Sequence, residues 1–202
     1  MKKFTFLTCF ILFFSFSFSQ NFNEKLKNSR MGLFISPSIN FITTDLEQVE
    51  KNSKMGLIYG WAIEMALNEH HRLESGFSIS YKGGELSNIG SEAVSNAYQV
   101  QYISLPIFIK MRSREVANFN YFARIGPSIN FKIKDKNSEN AETTHPAIID
   151  ISIFLGTEYS LGGKTAVEAS FFYNNNITNA ISASQNTQIL FHQIGLRAGF
   201  LF

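Results

Sequence analysis

After residue 30 the chain is governed by a two-residue rhythm of apolar and small polar side chains, and that rhythm restricts its folds more than any other feature. From Met31 to Phe41, the residues Met31, Leu33, Ile35, Pro37, Ile39 and Phe41 alternate with Gly32, Phe34, Ser36, Ser38 and Asn40. Side chains along an extended strand point alternately to opposite faces, so this stretch predicts a strand with one greasy face. Leu57, Tyr59, Trp61, Ile63 and Met65 repeat the pattern, as do Leu73, Phe77, Ile79 and Tyr81. Strands are expected at about 31–41, 55–67, 71–82, 98–112, 119–132, 148–159, 165–174 and 188–202.

The connections alternate as well. Segments 42–54, 83–97, 133–146 and 175–187 are long, whereas 68–70, 113–118 and 162–164 are short. Long loops at one rim and tight turns at the other predict an all-β, eight-stranded antiparallel up-and-down transmembrane β-barrel. Both termini then lie at the short-turn rim, which is expected to be periplasmic. A soluble periplasmic β-barrel binding protein would alternate too, with its greasy face inward. Against that, the polar face is rich in Gly, Ser and isolated charges of both signs, which suits a narrow lumen filled by side chains. Aromatic residues of the apolar face gather near strand ends: Phe41, Tyr59, Tyr81, Phe131 and Tyr173 at one side, Tyr121, Tyr159, Phe200 and Phe202 at the other. They match two interfacial girdles.

Residues 1–19 read as a cleavable signal peptide. Met1-Lys2-Lys3 is basic, Phe4 to Phe18 is apolar, and small residues precede Gln20. The run is too short for a spanning helix, which needs about 20 apolar residues. Cys9 is the single cysteine and lies inside that run, which disfavours a lipoprotein. The mature domain, 20–202, therefore has no disulfide or thiolate metal site. A net charge of +2 gives no pointer to nucleic acid. No peptidoglycan-binding tail is expected after Phe202, and no cofactor is called for.

The order Gly76-Phe77-Ser78-Ile79-Ser80-Tyr81-Lys82-Gly83-Gly84, then Tyr102-Ile103-Ser104-Leu105-Pro106-Ile107-Phe108-Ile109-Lys110, resembles the PorT-like outer-membrane barrel family of Bacteroidetes. Arg124-Ile125-Gly126-Pro127-Ser128 and the segment Asp150 to Tyr159 carry the same resemblance. It implies an integral barrel of the outer membrane, and the family's founding member is linked to protein secretion in gliding bacteria. The closing segment is similar to the aromatic-ended strand read by the outer-membrane insertion machinery, with Phe200 and Phe202 as its signal.

Inward charges are expected at Glu64, Arg72, Glu74, Lys110, Arg112, Arg124, Asp150, Glu158, Glu168 and Arg197. Buried charges must pair, so an interior ion-pair network is expected rather than an ion or proton path. His192 stands on the apolar face, opposite to that of Ser170 and Glu168, so no catalytic triad is predicted. His70 and His71 point opposite ways and make no metal site. Gly83-Gly84 and Gly162-Gly163 are read as turn residues, and Asn176-Ile177-Thr178 as loop chemistry. The polar segments 43–54, 84–97 and 134–144 are the expected interaction surfaces. Three roles follow: a non-enzymatic envelope component or accessory to secretion or surface assembly, a barrel-embedded lipid-modifying enzyme, and a narrow channel. The first is favoured. Its expected partners are the bilayer, the insertion machinery and other envelope or secretion proteins.

Overall fold

The computed structural model describes residues 28–44, 49–88, 95–135, 144–180 and 189–202. The expected signal segment, 1–19, lies outside these, as do the tips of the long connections. The strands are β1 (Arg30–Thr44), β2 (Val49–Asn52), β3 (Lys54–Ala66), β4 (His71–Asn88), β5 (Ser95–Arg112), β6 (Phe119–Asp135), β7 (Ala147–Gly162), β8 (Thr165–Asn176) and β9 (Ile189–Leu201). All but β2 form one closed antiparallel barrel of eight strands. Each strand pairs with its sequence neighbour, and β1 pairs with β9, from Gly32 opposite Leu201 to Thr44 opposite Ile189.

The burial pattern has the sense of a membrane barrel. Leu33 and Leu155 are each 60% exposed and Phe171 70%, whereas Arg124 and Glu158 are fully buried. An apolar belt therefore faces outward and the polar face fills the lumen, so the soluble alternative is excluded. Tyr121, Phe131, Tyr173 and Phe200 lie exposed toward the two ends of this belt.

The short turns are chemically distinct. Asn68 Oδ1 accepts from the backbone N–H groups of His70 (2.9 Å) and His71 (2.8 Å), closing a side-chain-capped turn. Ala117 and Asn118 both have positive φ, 51° and 68°, between the reciprocal hydrogen bonds of Val116 and Phe119. That is the twist-matched two-residue hairpin turn. Gly162 and Gly163 take φ values of 111° and 60° in the third turn.

Gly83 and Gly84, by contrast, make no turn. They lie within β4 opposite Gln99 and Tyr98. A Cβ on Gly83 would stand 2.2 Å from the Tyr98 carbonyl oxygen, so close strand approach is the reason for glycine here. The connection 83–97 is correspondingly shorter than its sequence suggests. Strand β4 continues to Asn88, β5 begins at Ser95, and β2 joins along Glu85–Asn88 to make a three-stranded ribbon. The apolar alternation of β4 stops after Tyr81 while the backbone pairing continues to Ser87.

An arginine replacing Ile151, at the middle of the belt on β7, is expected to cost about 2–4 kcal/mol of folding stability, and one replacing Ile133 near the rim about 0–1. Urea unfolding in lipid vesicles measures both; equal costs would contradict the assigned belt.

Candidate functional site

Inward side chains change in layers from the short-turn rim to the long-loop rim. On β5 they read Arg112, Lys110, Phe108, Pro106, Ser104, Tyr102, Val100 and Tyr98. Strand β7 keeps step with Glu158, Phe154, Ser152, Asp150 and Ile148. An ionic layer is thus followed by an aromatic layer, where the Phe154 ring lies 5.3 Å from Phe108 and 5.5 Å from Phe172. Serines and asparagines come next. Ile42, Tyr98, Val100, Tyr102, Ile148, Ala180, Ile189 and Phe191 form an apolar plug at the far end.

The ionic layer is built from walls of like charge. Glu64 stands opposite Glu74 on the adjoining strand, Glu158 opposite Glu168, and Lys110 opposite both Arg72 and Arg124. Such cross-strand neighbours repel, so much of the compensation comes from across the lumen. Lys110 Nζ donates to Glu64 Oε1 at 2.5 Å and to Glu158 Oε2 and Glu168 Oε2 at 3.0 Å each. Arg124 pairs with Glu168 at 2.8 Å and Glu74 at 3.0 Å. Arg197 spans the same two carboxylates, at 3.1 Å from Glu74 and 3.0 Å from Glu168. Its guanidinium also lies 3.7 Å from the centre of the Phe34 ring, a stacking contact that an ammonium would make less well. Arg112 reaches Glu158 at 3.0 Å, whereas Arg72 comes only within 4.0 Å of Glu64.

Two participants lie beyond the ten charges expected from sequence. Arg30 links Glu64 (2.6 Å) to Glu158 (2.7 Å) from the first position of β1. Lys82 pairs with Asp150 in the serine layer, apart from the main cluster, with both side chains only 2% exposed. Parity was the available signal, since Arg30 shares the face of Gly32 and Lys82 that of Ser80. Each stands at the edge of its apolar run, where the rhythm gives little warning.

The carboxylates of Glu64, Glu158 and Glu168 offer three oxygens within 4.8 Å of one another, a grouping able to hold a metal ion. Lys110 donates to all three residues, so their charge is already engaged by an ammonium. Outside the barrel, His192 stacks on Phe41 at 5.2 Å, and its Nδ1 hydrogen-bonds the Tyr173 hydroxyl at 2.9 Å. Ser170 and Glu168 are buried in the lumen, on the other side of the wall. His71 shares its Nδ1 with the Asn68 side chain at an exposed turn. Asn176 is fully buried, and Thr178 Oγ1 accepts from the Ile149 amide.

A closed barrel with a lipid-facing belt and a charged, filled interior defines an integral β-barrel membrane protein of the outer membrane. The chain belongs to the family described as outer membrane protein beta-barrel domain, whose profile matches residues 18–186. Among solved structures it is similar to the outer membrane protein OprG from Pseudomonas aeruginosa, at 11% identity and a TM-score of 0.53 over 86% of this chain and 95% of that one. Neisserial surface protein A is similar at 11% identity and a TM-score of 0.49, over 84% of this chain and 95% of that one. The OprG likeness establishes the fold and nothing finer. No curated protein matches the sequence.

Replacing Lys110 by Met is expected to leave carboxylates buried without their shared cation and to cost about 3–5 kcal/mol. The check is urea unfolding followed by the fluorescence of Trp61, the chain's single tryptophan. A cost below about 1 kcal/mol would mean that the cluster is not held together through Lys110.

Proposed function

We propose that this protein is a non-conducting, non-enzymatic barrel whose work is done by the segments it holds at its long-loop rim, as an envelope component or an accessory to secretion or surface assembly. The observation that carries this reading is the filled lumen. A solute entering from the short-turn side meets the ionic layer, then the rings of Phe108, Phe154 and Phe172, then the apolar plug. A path for ions would need a hydrated, polar lining throughout, and the plug is built mainly of aliphatic side chains and aromatic rings. The enzymatic alternative finds no support in Ser170 and His192: Ser170 is buried on the lumen face, whereas His192 packs against Phe41 and Tyr173 on the other face of the wall.

The surface left for recognition is the ribbon of β2, β4 and β5, which extends past the paired end of β6. Register pairing of β5 with β6 begins at Val100, whereas β5 pairs with β4 from Ser95 onward. The chain's resemblance to PorT-like barrels of Bacteroidetes belongs to the same reading, with residues 1–19 as an export signal and Phe200 and Phe202 as the insertion signal. The short-turn rim is then periplasmic and the ribbon exposed at the cell surface.

Replacing residues 85–97 by a two-residue turn is expected to leave a barrel whose gel migration still shifts on boiling, while abolishing crosslinks from this rim to an envelope protein and impairing surface-protein export. Planar bilayers holding the intact protein are expected to show no discrete conductance steps. Steps that change on neutralising Arg124 would establish a channel instead.

A further inference from the structure

At the short-turn end the barrel opens into a cavity of about 600 Å³, with Arg30, Arg72, Arg112, Glu158 and Lys164 among its lining residues. The ionic layer beneath it is not balanced. Among the described residues, Arg30, Arg72, Lys110, Arg112, Arg124 and Arg197 form ion pairs within this layer with four carboxylates, Glu64, Glu74, Glu158 and Glu168. Every oxygen of those carboxylates is within 3.1 Å of a cation other than Arg72. Arg72 is therefore the cation left over, held 4.0 Å from a Glu64 oxygen that already binds Arg30. Its side chain is 16% exposed, and its Nε and Nη1 are buried without a hydrogen-bond partner among the described residues, as is Nε of Arg112. Both residues lie on inward faces of the adjoining strands β4 and β5, at the wall of the cavity.

We propose that this cavity binds a small, water-soluble phosphate anion, free or as a phosphomonoester, between Arg72 and Arg112. Two forked guanidiniums on one cavity wall suit a tetrahedral oxyanion, whose several oxygens accept from both at once. An anion also supplies negative charge next to the least compensated cation of the layer. Lipid headgroups are separated from the site by the barrel wall, which leaves solutes entering through the rim. Glu69 and Glu115 also line the cavity and oppose an anion, so they set a limit on affinity.

The test is titration of the full folded barrel in zwitterionic detergent with inorganic phosphate and with methyl phosphate, read by ³¹P line broadening. Acetate serves as a singly charged control. Saturable binding of phosphate is expected, with acetate much weaker, a loss of tenfold or more in Arg72→Met, and a severalfold gain in Glu115→Gln. Similar affinity for the two phosphates assigns the site to the free anion, and tighter methyl phosphate to an ester. Absence of saturation in the wild-type protein, or unchanged affinity in Arg72→Met, overturns the proposal. Should Arg72→Met fail to give a heat-modifiable species, Arg112→Lys keeps the charge and loses the fork. It is expected to weaken binding severalfold, and unchanged affinity there overturns the proposal equally.

Discussion

Inside a bilayer nothing accepts a hydrogen bond from an open sheet edge, so the first and last strands of such a protein must find each other. In this chain β1 and β9 do so from Gly32–Leu201 to Thr44–Ile189, and the rest of the molecule follows from that closure. Eight strands closed on themselves leave a lumen only as wide as the side chains that point into it. Those side chains must then fill the space and satisfy one another. Gly126 and Gly195 on the inward face are where the rings of Phe108 and Phe172 find room.

Charge is the other filling, and its arrangement is economical of register. Adjacent strands carry like charges, Glu64 beside Glu74 and Lys110 beside Arg124, which would be unfavourable in a flat sheet. Curvature turns this into an advantage, because walls of opposite sign come to face one another across a few ångströms. Lys110 thereby bridges carboxylates from β3, β7 and β8. The cluster ties together strands that share no backbone pairing, which suits it to fixing the barrel's cross-section. Removing one member leaves the remaining buried charges less fully compensated, so the arrangement is better regarded as a device of specificity than as a sum of favourable contacts.

The two ends of the lumen differ in kind. Toward the long loops it is sealed by Tyr98, Tyr102, Phe191 and their neighbours, while toward the short turns it stays open over arginines that lack full partners. With a ribbon at one rim and a basic cavity at the other, the barrel has chemically different surfaces at its two ends.

Much of this was legible in the sequence. The alternation in Met31–Phe41 or in Ile149–Leu155 is a property of the extended backbone itself, so strand identity, inward and outward faces and the eight-stranded architecture could all be read locally. The inward placement of Lys110 or Glu158 came from the same parity. Legibility ended where the alternation ended: Gly83 and Gly84 looked like turn residues because the apolar rhythm of their strand stops at Tyr81. It ended too at Arg30 and Lys82, which sit at the margins of their apolar runs. Their partners lie far away along the chain, Arg30 being bonded to a carboxylate 128 positions distant. The sequence by itself determined which side chains enter the lumen. Only the tertiary structure decided which of them meet, because that depends on the stagger of all eight strands at closure, a property of the whole ring that no single strand carries.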